Sequence, residues 1–450
     1  MSPLLALLLL FGCSPGAPER VPGRTWYVDS AHGDDAASGT SPEAPFATLA
    51  PLAGLRTGPG DAILLRRGSR LRGSLRLAGG GTEEHPVRLG AYGSGDPPVI
   101  DFGGAAGLHL SGVTHVIVAD LRLTNARRGI FVDECAEITI RNVEVDHCVG
   151  GGLIFRGEGS GFLVEDCHVH HVDGDGLATF GIAGIVVRRC RFHHILDTAL
   201  SGGHDAIALH EARGQESLIE NNVCRGLFSK ACVSLTIGTR AVVRRNFLSG
   251  GRRYGILCGN GSTALIHDNV IVVPAETSVP GAGIATGMES RVRAFNNTIC
   301  NGGAGEGERC SFGTAPTGSL EARNNISVLL SPGSVHHWVG EGDSRGRVVA
   351  DHNLYHPDDV PPGREGRFIL GRLSGRLEAW RLVGNDRHGL AGDPLFAGEL
   401  PPRDPLDCLL RAGSPACGSG TDLSGIFQAD FRGIPRKRWD MGAFACETRR

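Results

Sequence analysis

One stretch of the chain gathers an unusual number of imidazoles and carboxyls. Asp146 and His147 come first, then His168, His170, His171, Asp173 and Asp175, and then His193, His194, Asp197, His204, Asp205, His210 and Glu211. Imidazole exchanges protons near neutral pH. Two carboxyls held close together divide into an acid and a base, because like charges raise one of the two pKa values. Carboxylates can also hold calcium. Asp175-Gly-Leu-Ala and Asp205-Ala-Ile-Ala align with each other. Asp175 and Asp205 are therefore the candidate acid–base pair. His204, Asp173 and His171 lie beside them, and His210 falls at the far end of the strand that follows Asp205. Arg156 and His194 would contact substrate.

Such residues act together only if something stacks them, and the surrounding sequence repeats. Val164-Glu-Asp-Cys-His-Val, Val187-Arg-Arg-Cys-Arg-Phe, Ile219-Glu-Asn-Asn-Val-Cys, Val243-Arg-Arg-Asn-Phe-Leu, Ile266-His-Asp-Asn-Val-Ile and Ala294-Phe-Asn-Asn-Thr-Ile align. Their fourth residues are Cys167, Cys190, Asn222, Asn246, Asn269 and Asn297; Asn142 precedes this column, and Asn325 and Asn353 continue it. Successive gaps run from 23 to 32 residues. Each unit reads as strand, Asn turn, short strand, loop, then a Gly-Ile-type strand such as Gly129-Ile130, Gly176-Leu177 or Gly255-Ile256. One such unit cannot bury its apolar face, so units must stack. Parallel strands on adjacent turns lie about 4.8 Å apart. The column is expected to form an asparagine ladder whose members take the left-handed turn conformation.

These repeats resemble the right-handed parallel β-helix superfamily that includes pectate lyases and polygalacturonases. The resemblance implies an all-β, single-stranded right-handed parallel β-helix solenoid with N-terminal and C-terminal caps. Residues 25–100 would form the N-terminal cap and first turns, 101–360 the repeats, and 361–450 the last turns and C-terminal cap. Ala47 to Leu55 reads as a capping helix. Gly174-Asp175-Gly176 and Gly203-His204-Asp205-Ala206-Ile207-Ala208 are similar to two polygalacturonase segments. By that resemblance Asp175 and Asp205 match two of the family's three catalytic aspartates, and His204 stands where the third would be.

Three functions fit. Hydrolysis of a polysaccharide would use Asp175 and Asp205 as acid and base, with a His assisting. A lyase would hold calcium on Asp173, Asp175 and Asp205 to neutralise a uronate, with His204, His210 or Arg156 taking the proton. A non-catalytic surface or sugar-binding protein would use the same residues only as loop decoration. His336, His337 and Trp338 could serve a sugar or be buried anchors. Arg188-Arg189 and Arg244-Arg245 read as solvated strand positions.

The chain opens with an apolar run, Leu4 to Phe11, of a length that suits a signal segment (residues 1–12) and not a membrane span. Leu10-Phe11-Gly12-Cys13 resembles the lipobox of bacterial lipoproteins. That implies cleavage before Cys13, diacylation of its sulfur, a tether over 13–24, and a place at the cell envelope or outside the cell. Export would favour disulfides among the twelve cysteines after Cys13, with Cys408–Cys417, Cys300–Cys310 and stacked Cys167–Cys190 as candidates. A net charge of −3 gives no bias toward nucleic acid. The abundance of glycine, 68 of 450 residues, suits short strands and tight turns, not helices. A monomer is expected.

Overall fold

The computed structural model describes residues 23–196, 203–228, 230–274, 281–302, 309–341, 347–360 and 366–446. The apolar run Leu4 to Phe11, Cys13 and Asp197 lie outside the described residues. The chain winds through three sheets of 13, 13 and 14 strands, and each strand pairs with its counterpart one turn later. A single turn runs through Phe162–Glu165 in the first sheet, His168–Asp173 in the second and Leu177–Phe180 in the third. These pair in parallel with Ile185–Arg188, Arg191–Leu196 and Ile207–His210. Among the described strands only Phe368–Leu370 and Leu373–Gly375 pair antiparallel.

Alternation along each strand fills the interior. Val164, Val187 and Ile219 point inward from the first sheet, Val169 and Phe192 from the second, and Leu177, Ile207 and Val233 from the third, all buried. Each turn alone would leave such residues wet, so the stacking of turns provides the hydrophobic burial.

The corner between the first and second sheets carries a buried column: Leu121, Val143, Cys167, Cys190, Asn222, Asn246, Asn269, Asn297, Asn325 and Asn353. From Asn222 onward it is the expected ladder. Asn222 Oδ1 accepts the backbone N–H of Cys190, and each later Oδ1 accepts the backbone N–H and the side-chain amide of the Asn one turn earlier, as Asn269 does from Asn246, both at 3.0 Å. Asp386 closes the series by accepting from Asn353. Two details differ from the sequence reading. Asn142 stands one position ahead of the column, which Val143 occupies. The left-handed residue is also not the ladder Asn but its predecessor: Asn221, Arg245, Asp268, Asn296, Asn324 and His352 have φ of 50–56°. That residue turns the chain, and the Asn after it points inside. Replacing Asn269 by Ala leaves the buried backbone N–H of Asn246 without its acceptor and removes one of the three bonds of its side-chain amide, so a loss of about 2–3 kcal/mol is expected in urea unfolding.

Cysteine pairing differs from the expectation as well. Cys417 is bonded to Cys446, with Cα atoms 5.7 Å apart, and not to Cys408. Cys408 packs beside Cys300 on the outer face of the second sheet, while Cys310 faces outward from the third sheet, so Cys300 and Cys310 cannot meet. Cys167 and Cys190 are stacked free thiols. At the front, the expected capping helix is a single 3-10 turn, Ala50–Leu52, with Pro51 inside it and Gly54 just beyond. At the back, helix Leu377–Leu382 buries Trp380 over the last turns. The remaining tail then folds back along the outside of the second sheet. Phe396, Leu410, Met441 and Phe444 cover outward-facing Val270, Val272, Ile326 and Val328. The tail covers these turns because their outer positions are apolar, whereas earlier turns present Glu144, His168 and His170.

Candidate active site

Asp175 and Asp205 stand at the corner that leads from the second sheet into the third. Leu177 pairs with Ile207, so the two aspartates occupy one column on adjacent turns, as their alignment predicts. Asp175 Oδ1 accepts the backbone N–H of Asp205 at 2.8 Å, and Asp205 Oδ1 accepts that of Ala231 at 2.8 Å. Because each carboxyl caps the turn that follows it, the pair repeats at the turn spacing of about 4.8 Å. Gly151 precedes them in the column and Ala231 follows, so the column carries two carboxyls.

Their environments differ. Asp205 is 2% exposed, and burial pushes its carboxyl up to about 6, outweighing the nearby Lys230; Asp175 adds to the rise. Lys230 Nζ lies 3.4 Å from Asp205 Oδ2. The Asp175 side chain is 19% exposed, and His204 Nδ1 approaches it at 3.8 Å. Asp175, His204 and Lys230 form the accessible surface of the site, with Asp205 behind them. Lys230 was not singled out from the sequence. Extending the alignment by one more turn finds it, since Lys230 stands in register with His204.

His210 belongs to the same sheet. It projects from the end of its strand, stacks on Phe180 at 5.3 Å and meets Thr236 Oγ1 at 2.5 Å through Nδ1. Burial, the largest influence, lowers its pKa. Arg156 is two turns earlier in the same outward column and pairs with Asp133 at 2.8 Å. Past the aspartates, the outer face of the third sheet becomes an apolar groove of about 500 Å³. Tyr254, Leu257, Ala282, Ala285, Cys310 and Trp338 line it. Trp338 is thus a wall of this groove, while His336 and His337 are buried.

Asp173, His171 and His194 lie on the second-sheet side instead. His171 and His194 stack on each other at 4.6 Å and bond to His170 and His193, not to the aspartates. Among the described residues, the side-chain groups whose ligand atoms converge do not include Asp173, Asp175 and Asp205 together. An ammonium already stands beside Asp205. That trio does not fit a calcium ion. The paired arginines are committed to ion pairs: Arg188 and Arg189 to Glu165, and Arg244 and Arg245 to Glu220.

The family description "right handed beta helix region" matches residues 99–227. The chain is a right-handed parallel β-helix. Solved structures agree across its length. A crystal structure of pectate lyase Pel9A superposes with a TM-score of 0.53 at 19% identity, covering 95% of this chain and 97% of that one. The complex of XylC with xylose gives 0.60 at 9% identity, covering 94% and 99%. The A-module of mannuronan C-5 epimerase AlgE6 from Azotobacter vinelandii gives 0.54 at 15%, covering 76% and 92%. At these identities the likeness is one of fold. A curated lacto-N-biosidase of Bifidobacterium longum subsp. longum is 33% identical over 132 residues, 23% of this β-helix and 8% of that protein. This β-helix therefore spans a small part of the relative's length.

Proposed function

We propose that this β-helix is a carbohydrate-active enzyme that hydrolyses a glycan, with Asp175 and Asp205 as its carboxyl pair. The observation that carries the proposal is the stacking of two carboxyls in unlike surroundings. A buried acid lifted to about 6 sits one turn from a partly exposed partner, the usual way a pair divides into proton donor and base or nucleophile. A separation near one turn, about 4.8 Å, is closer to the spacing of retaining glycosidases than to that of inverting ones. Asp205 donates once Lys230, a flexible side chain lying over its Oδ2, swings aside for the sugar. His204 orients Asp175. The groove past Asp205 offers Tyr254 and Trp338 as platforms for sugar rings, whose apolar faces pack well on aromatic side chains. The local identity to a lacto-N-biosidase also supports a glycosidase.

A lyase is the second reading. Lys230 and His204 favour it, since a cation and a base beside the column suit an anionic uronate. Incubation with neutral and acidic glycans separates the readings. New reducing ends alone mark a hydrolase, and new reducing ends with the ultraviolet absorbance of an unsaturated sugar mark a lyase. No product from a broad panel would leave a binding protein. Because Asp205 must carry its proton to donate it, kcat/KM is expected to fall as pH rises through about 6. A rate unchanged from pH 5 to 8 would remove Asp205 from that role. We also propose that the protein works outside the cytoplasm, tethered through Cys13, as its first residues suggest.

A further inference from the structure

A second cluster lies on the outer face of the second sheet, away from the groove. His147, His168, His170, His171, His193 and His194 occupy three successive turns there and pack ring against ring. The Nδ1 atoms of His170 and His171 are 2.8 Å apart, and those of His193 and His194 are 2.7 Å apart. The two pairs stack at 4.8 and 4.6 Å between ring centres. Ring nitrogens of His170, His171 and His193 all lie within 4.8 Å of one another.

A further feature points to a ligand. The far nitrogens of the inner rings are anchored: His170 Nε2 meets Glu144 Oε1 at 3.2 Å, and His193 Nε2 meets His168 Nε2 at 2.7 Å. A metal-binding His commonly has its second nitrogen held in this way, by a carboxylate above all. His171 and His194 both have φ of 51°, the same left-handed bulge that Asn125 and His147 make on earlier turns and Gly226 and Gly250 on later ones, so the fold itself places these two positions. Folding asks only that Val169, Val172, Phe192 and Ile195 point inward, and it does not ask for imidazoles outside.

We propose that His170, His171 and His193 bind a divalent transition-metal ion of the zinc, nickel or copper class, with Glu144 and His168 orienting the rings. Imidazole nitrogens select these ions over calcium and magnesium, which prefer oxygen. The site is on a different sheet from the aspartates and stands whether or not the glycan reading holds.

The test uses the chain without a histidine tag, stripped with EDTA and titrated with zinc chloride alone. Calorimetry and elemental analysis of bound metal follow binding, and Tm follows the fold. One zinc per chain and a raised Tm are expected, with no response to calcium chloride. Glu144→Gln should weaken zinc binding by about 10–100-fold. His171→Ala, an exposed change that leaves the stripped protein folded, should weaken it at least as much. Bound copper should show nitrogen couplings in its electron paramagnetic spectrum. No zinc bound by the wild type, or zinc affinity in His171→Ala and His193→Ala unchanged from that of the wild type, overturns the proposal.

Discussion

Asp205→Asn is expected to lower the rate of glycan cleavage by about 10²–10⁴-fold while making the protein more stable at alkaline pH. The two effects share one cause. In the unfolded chain the carboxyl titrates near 3.8, and in the fold near 6. The fold holds this proton more tightly, so the group's full contribution is present below about pH 4 and is lost as pH rises through about 6. At pH 8 the ionised, buried Asp205 costs the fold about 3 kcal/mol. An amide carries no such cost and still offers an oxygen to the N–H of Ala231. The variant should match the wild type near pH 4 and exceed it by up to about 3 kcal/mol at pH 8 in urea unfolding. Asp175→Asn should lower activity by a similar factor. If Asp205→Asn instead weakens the fold equally at both pH values and leaves cleavage intact, Asp205 is only a rung of the stack.

Asp268→Asn should destabilise the protein by about 3–5 kcal/mol and loosen its C-terminal tail. Arg436, in the tail, places Nη2 2.5 Å from Asp268 Oδ1, and both side chains are fully buried. The same nitrogen reaches the carbonyls of Gly442 and Ala443. Asp268 also accepts from His267 Nδ1 at 2.7 Å. Its φ is 53°, which Asn adopts as readily as Asp, so the substitution changes charge without changing backbone preference. What remains is a buried guanidinium with no counter-charge, a far worse state than no pair at all. Limited proteolysis should cut the variant first within 392–446, with the solenoid turns persisting. Uniform cutting along the chain would mean that the tail is not an independent layer.

Much of this architecture follows from the sequence by itself. The recurring interval set the turns, the apolar alternation set the inward faces, and the alignment of Asp175 with Asp205 set their shared column, because register between stacked turns depends on local spacing alone. The ladder from Asn222 to Asn353 was legible for the same reason. Which side of the helix a residue faces was not. In Val169-His170-His171-Val172 both valines point inward although three positions separate them, because left-handed His171 inserts an extra residue and reverses the alternation. The same device at His194 carries that imidazole to the second sheet and away from the aspartates. The Cys417–Cys446 bond and the tail on Val270 and Val328 join segments whose proximity no periodicity encodes. Only the closed tertiary structure decides them, since it alone determines which outer surfaces stay polar and open and which are apolar and must be covered.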